Sequence, residues 1–240
     1  MKVAIVDNRM SEDLVSSLSS YADKILKLPP HPLLSTPVAS HPDMLLWIYG
    51  KIIVTYEDYI PLAWDSFDLL EGLGYTIIPH RESPNEKYPF DVAMNCALVG
   101  NTVIGNEKHM SEEIKKIAKD NGLQTLNVKQ GYAKCSTVTV SNNAIITSDP
   151  SIAKAAEKVG IDVLKIRPDY VSLHGYDTGF LGGASGSTQT EVIFCGNLDY
   201  HPDTASIKDF CSSHGKRAVS LGNTPLYDYG TVFFVNNIKD

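Results

Sequence analysis

The sequence is poor in cysteine and in positive charge. Of its 240 residues only Cys96, Cys135, Cys195 and Cys211 are cysteines, and no two stand at Cys-x-x-Cys spacing. Structural zinc sites and dithiol redox motifs use that spacing. Each of the four falls in an apolar run or on a helix stripe, so core thiols are expected, with no disulfide, metal or cofactor. Apolar stretches are short as well: none approaches the roughly 18 residues of a membrane helix, and "MKVAIVDNRM" meets charge too soon for a signal peptide. A cytoplasmic protein is expected. Lys and Arg number 21 against 28 Asp and Glu, a net charge of −7, which argues against nonspecific nucleic-acid binding because that rests on neutralising phosphates. A phosphate loop is also missing. The glycines of "LGGASGS" (181–187) lead into "TQTEVIFCG", a strand pattern, with no Lys and Ser or Thr opening a helix. They read instead as a wide hairpin with close backbone approach.

What is abundant is repetition. "AIITSDPSIAKAAEKVGIDVLKI" (144–166) contains an apolar run, a helix cap at Asp149 with Pro150 at the first helical position, and a stripe of Ile152, Ala155, Ala156 and Val159. Gly160 can then end the helix, and a second strand follows. The same order recurs with Ser111 as cap and Gly122 as stop, with Gly215 as stop, and with Gly74 as stop. An N-terminal copy, with stripe Leu14, Val15 and Leu18, lacks the glycine. A third apolar run closes each copy: 44–48, 92–99, 136–140, 179–185 and 231–235. Short turns such as "YGK", "GN" and "SNN" then lead into the next copy, as in tight hairpins. First strands begin near Val3, Ile52, Thr102, Ala144 and Val192. The chain is therefore five strand-helix-strand-strand units, about 1–49, 50–100, 101–141, 142–189 and 190–240. Such units cannot bury their own apolar faces and must share a core. Apolar strands at both termini favour a closed ring over an open solenoid, whose end repeats would need polar caps. One α/β domain spanning 1–240 is expected.

Five units of this kind, with local patterns such as "CSTVTVSNNAIITSD" and "GYDTGFLGGASGS", resemble the pentein superfamily. These five-fold pseudosymmetric α/β propellers include the guanidino-group-modifying enzymes, and the ribosome anti-association factors share the architecture. The resemblance implies a catalytic cysteine at the start of the inward strand of the fifth unit, a histidine at the equivalent place in the third, and acidic residues gripping a guanidinium. Here the fifth unit offers Tyr229, Gly230 and Thr231, and the third offers Tyr132, Ala133 and Lys134. Attack on an amidine carbon needs an activated nucleophile and a proton donor, so the family reaction by its usual mechanism is not expected.

In a ring, the segments before each third strand converge on one axial mouth. They read "SHPD", "YPFD", "GYAK", "HGYD" and "LYDY", with Asp43, Asp91, Asp177 and Asp228 in four and Lys134 in the other. Such carboxylates can hold a small cationic, guanidino or amino-acid-like ligand, with tyrosines such as Tyr132 and Tyr176 adding an aromatic face. Equally, each aspartate can serve its own turn. His41 and His174 stand beside two of these aspartates, either as acid–base groups or as turn residues. A third reading pairs Cys135 with His174 as an atypical amidine hydrolase. The linkers 29–42, with five prolines, and 79–90 lie toward the same end and could form a lid or a contact for a protein or ribosome partner. "HPD" at 201–203 is expected to cap the helix that follows.

Overall fold

The computed structural model describes residues 1–237. Its elements follow the repeat. The first unit holds β1 (Lys2–Asp7), α1 (Glu12–Leu18), β2 (Lys24–Leu28), a short α2 (Pro42–Leu45) and β3 (Leu46–Tyr49). The second holds β4 (Ile52–Tyr56), α3 (Trp64–Gly72), β5 (Thr76–His80) and β6 (Ala97–Val99). The third holds β7 (Thr102–Gly105), α4 (Glu112–Asp120), β8 (Gln124–Asn127) and β9 (Val138–Ser141). The fourth holds β10 (Ala144–Thr147), α5 (Pro150–Lys158), β11 (Asp162–Lys165) and β12 (Ser185–Ser187). The fifth holds β13 (Glu191–Phe194), α6 (Thr204–Ser213), β14 (Arg217–Ser220) and β15 (Phe233–Asn236).

These strands form five three-stranded sheets. In each, the first strand of a unit is central. It pairs in parallel with the second strand of its own unit, across the helix, and antiparallel with the third strand of the unit before. The last strand, β15, pairs with β1 from Lys2↔Asn236 to Ile5↔Phe233, so both ends of the chain share one sheet.

Burial explains the strand sequences. Central strands are covered on both faces and read as continuous apolar runs, as in "VAIV" of β1 and "AIIT" of β10. The outer strands β8, β11 and β14 have half-buried middle residues between exposed ends and read "QTLN", "DVLK" and "RAVS". Helices α4, α5 and α6 each pack on the second strand of their own unit and on that of the preceding one. The inner strands meet in succession, β6 with β9, β9 with β12 and β12 with β15. Ser111 and Asp149 cap α4 and α5 by accepting from backbone amides two and three residues on, as expected. Gly74, Gly122, Gly160 and Gly215 end their helices at positive φ. No helix among the described residues is long and apolar enough to cross a membrane.

Three local expectations are corrected. Asp203 stands at the cap position of α6, but its carboxylate makes no cap bond. It accepts instead from the backbone N–H and guanidinium of Arg167, because the charged fork offers stronger hydrogen bonds than amides. The third strands start two to six residues later than the apolar runs: Met44 and Leu45 lie in α2, and 92–96 and 179–184 are irregular segments containing turns. Apolarity there reflects burial in the hub, which an irregular segment needs as much as a strand does. The hairpin between β12 and β13 accordingly turns at 188–190, beyond the glycines of 181–187. Their close approach is real, however. A Cβ on Gly182 would overlap the Cys135 carbonyl and stand 2.6 Å from that of Thr137.

Gly182→Ala should therefore destabilise the protein by about 1–3 kcal/mol, since backbone atoms must move. Gly72→Ala, at the exposed end of α3 with nothing near its Cβ position, should stabilise by about 0.5–1 kcal/mol. Denaturant midpoints of the two variants check this. Similar midpoints would contradict the packing described.

Candidate functional site at the hub

The segments preceding the inner strands meet in a buried polar hub. Four-residue α2 presents Asp43, and its backbone N–H donates to the Gly230 carbonyl at 3.0 Å, joining the first unit to the fifth. The Asp43 carboxylate is fully buried. Its Oδ2 accepts from Thr231 Oγ1 at 2.7 Å and Cys135 Sγ at 3.2 Å, and Thr231 Oγ1 accepts from Lys134 Nζ at 3.0 Å. Asn95 of the second unit ties these together. Its Oδ1 accepts from the backbone amides of Lys134 and Cys135, while its Nδ2 donates to the Asp43 carbonyl at 3.1 Å. The fourth unit contributes the Gly182 carbonyl, 3.2 Å from Thr231 Oγ1. All five units thus supply an atom to one network.

Asp228 is the second buried carboxylate. It accepts from the backbone N–H of Gly230 at 2.9 Å and of Phe180 at 2.8 Å. Gly183 lies so close that a Cβ there would overlap the carboxylate. Buried His41 lies 3.9 Å from Asp228 and 3.7 Å from Asp7, beyond hydrogen-bond reach of both. Asp7 itself is gripped by the Arg9 guanidinium, which also donates to the Thr36 and Pro37 carbonyls at 2.7 Å and so pins the proline-rich linker over the hub.

The electrostatics follow from burial. Desolvation raises the Asp228 pKa, with His41 pulling it down and Asp43 pushing it up. Desolvation lowers that of Lys134, against the attraction of Asp43 and the other anionic groups. The Cys135 thiol is pushed well above its ordinary range, first by burial and then by the charges of Asp43 and Asp228. It is held as a thiol, and a nucleophilic cysteine needs the opposite.

The sequence-predicted residues divide into two groups. Asp43, Asp228, His41, Lys134 and Cys135 are in the hub. Asp91 is buried close by and accepts from the Tyr132 hydroxyl at 2.6 Å. Burial raises the pKa of both groups. Asp177, Tyr176 and His174 lie elsewhere, on an exposed loop. Tyr176 reaches Ser35 of the proline-rich linker at 3.1 Å, and the His174 N–H donates to the Tyr227 hydroxyl. His174 and Cys135 are not brought together: one is solvent-exposed, and the other's thiol is engaged by Asp43 and Asn95. The physical reason is loop length, since residues 167–184 carry the fourth segment outward before it returns at Gly179.

Sequence reasoning missed Asn95 and Asp7, and it named Thr231 only for the absence of a cysteine there, not for its bond to Asp43. Asn95 left a signal, a lone amide inside the apolar run "VAMNCALV", because a polar residue is retained in a core only where it is bonded. Thr231 left none. It is a β-branched residue at φ 70°, a conformation costing about 1–3 kcal/mol, held by its N–H to Gly183 and its hydroxyl to Asp43.

Several hub atoms are buried without a hydrogen-bond partner: Ser40 Oγ, both nitrogens of His41, Asp43 Oδ1 and Asp91 Oδ1. All four cysteines are free and buried, with burial raising Cys96 and Cys195 to about 12 and Cys211 to about 11. A chromogenic thiol reagent at pH 8 should accordingly find no reactive cysteine in the native protein and all four after unfolding. Rapid labelling of Cys135 in the native state would contradict the hub geometry.

No curated protein matches this sequence. Solved structures do match. The chain is 10% identical to the dimethylarginine dimethylaminohydrolase (DDAH) of Pseudomonas aeruginosa, crystallised with citrulline, with 91% of each chain covered and a TM-score of 0.57. It is 11% identical to SxtG, an amidinotransferase of the saxitoxin biosynthetic pathway from Microseira wollei, over 91% of this chain and 87% of that one, at TM-score 0.53. It is 12% identical to the N-terminal domain of ArgZ, a cyanobacterial arginine dihydrolase, over 94% and 92%, at TM-score 0.57. Those proteins are penteins, and the likeness shows that this chain has their fold. A model of one family of unknown function, DUF6873, matches residues 5–233, and the chain belongs to that family.

Proposed function

We propose that the protein is a single closed five-bladed pentein whose hub binds a small cationic ligand, guanidino or amino-acid-like, without the cysteine and histidine pair of the guanidino-modifying enzymes. The observation carrying this reading is the set of buried acceptors at the hub with no partner, above all Asp43 Oδ1. A buried polar atom left unpaired costs about 1–3 kcal/mol, and a ligand with several N–H donors offsets that cost. A guanidinium or ammonium group brings donors and the charge that Asp43 and Asp228 attract. Access requires the exposed 170–178 loop to lift from the proline-rich linker, to which the Tyr176–Ser35 hydrogen bond ties it. In this reading Tyr176, Asp177 and His174 line the entrance while Asp43, Asp91 and Asp228 form the floor. Thr231 and Lys134 stand where the resemblance places the nucleophile and the histidine, so binding without guanidino hydrolysis is the expected activity.

A second reading is an interaction protein, favoured by the exposure of Tyr88, Phe90, Tyr170 and Tyr176 on the loops around this end. The two readings differ at Asp43, since a partner docking on outer loops would be indifferent to it.

Thermal unfolding with arginine, agmatine and related amines tests the first reading. A ligand at about 100 times its Kd adds about 2.7 kcal/mol, a rise of roughly 5–10 °C for a chain of this size. Asp43→Asn should abolish the rise, and citrulline, whose ureido side chain is neutral where arginine's is a cation, should produce less of it. If no amine raises the Tm, or if Asp43→Asn leaves the rise intact, the reading fails.

A further inference from the structure

A second site lies at the other end of the inner strands. A cavity of about 460 Å³ is lined by one residue or more from each of them: Trp47 of β3, Leu98 of β6, Thr139 of β9, Ser185 of β12 and Phe233 of β15. Lys134 and Thr231 close it at the hub side, and Asn142 and Ser187 stand by the hairpin turns. Its volume falls within the range of small-molecule sites.

Three observations define what it would take. Lys134 is the only charged residue among the described residues lining the cavity. Its ammonium spends two donors on neutral acceptors, Thr231 Oγ1 at 3.0 Å and the Thr137 carbonyl at 3.3 Å, leaving a third N–H free. Trp47, also on the wall, is 2% exposed, and its indole N–H has no partner. Buried free donors without acceptors suit an anion, and the walls of Trp47, Leu98 and Phe233 suit an apolar body.

The field at this end points the same way. An adjoining cleft shares Asn142, Ser187 and Phe234 with the cavity and carries Lys2, Lys216 and His214. Among the described residues lining the two spaces there is no Asp or Glu. Of the carboxylates nearby, Asp43 and Asp228 lie on the hub side of Lys134, where Asp43 accepts from Thr231 and Cys135 and Asp228 from Gly230 and Phe180, and on the outer side Glu191 is engaged by Thr188 and Thr190 and Asp162 faces His214. In a chain of net charge −7, a cluster of three lysines with no lining carboxylate would concentrate anions locally.

We propose that this cavity binds a small monocarboxylic acid with a branched aliphatic or aromatic body, its carboxylate on Lys134 Nζ and its apolar part between Trp47, Leu98 and Phe233. The site shares Lys134 and Thr231 with the hub but extends away from the acidic floor assigned above, and its ligand has the opposite charge.

Trp47 reports on it directly. The sequence has two tryptophans, and the other, Trp64, is 61% exposed, so Trp64→Phe leaves Trp47 as the single emitter. Titration of the full-length W64F protein with 4-methylpentanoate should change its emission saturably. The uncharged 4-methylpentanol should bind at least about tenfold more weakly, the worth of one charge-assisted hydrogen bond. Leu98→Phe, which fills the cavity away from the hub, should abolish the response, and Lys134→Met should weaken it by the same factor as the alcohol. Leu98→Phe and the alcohol carry the test independently of whether Lys134→Met folds. An absent response, equal binding of acid and alcohol, or survival of the response in Leu98→Phe would each overturn the proposal. Arginine binding that depends on Asp43 is read separately, by Tm, so failure of this proposal and failure of that reading are distinguishable.

Discussion

The third strand of each repeat is hydrogen-bonded into the sheet of the repeat that follows it, and the last into the first. The rest of the molecule depends on this exchange. A unit that donates one strand and accepts another has no complete sheet of its own, so its central strand is buried only when its neighbours are in place. The exchange also dictates where the polar residues go. Each donated strand must pass from one sheet to the next on the inner side, and the segments that make the passage are brought face to face. Asp43, Asn95, Lys134, Gly182 and Thr231 come from five such passages and share one hydrogen-bond network.

Filling that junction with charge is not the stable choice. Buried ions lose hydration that their partners restore only in part, and well-packed apolar residues of similar volume are often as stabilising or more so. Asp43 and Asp228 are nevertheless fully buried, Thr231 is held at a positive φ, and several acceptors stay unpaired. Unfavourable features gathered in one place are characteristic of sites kept for binding. Beside them, Cys135 has its thiol engaged by the Asp43 carboxylate.

The two ends of the inner strands differ in electrostatic character. Acidic side chains and exposed aromatic loops gather where the strands begin. Lysines and an apolar wall gather where they end. Lys134 belongs to both, reaching from the hub segment toward the cavity, so occupancy at one end would be felt electrostatically at the other through this single ammonium.

Much of this was legible in the residues themselves. Central strands had to be continuous apolar runs because both of their faces are covered, and four helices had to end in glycine because their last turn closes at positive φ. Local patterns of this kind are governed by neighbours a few positions away, which is why repeat order, caps such as Ser111 and Asp149, and the buried thiols could be anticipated. Asp203 escaped because its partner, Arg167, is distant in sequence and competes with the local cap. The contents of the hub escaped in part for the same reason. Thr231 meets Asp43 across 188 residues, and whether an aspartate such as Asp177 joins them or stays in solvent depends on the path of a whole loop. Side-chain identity and short-range periodicity specify elements, whereas which distant residues meet in one buried network is decided by how the sheets exchange strands and pack in space.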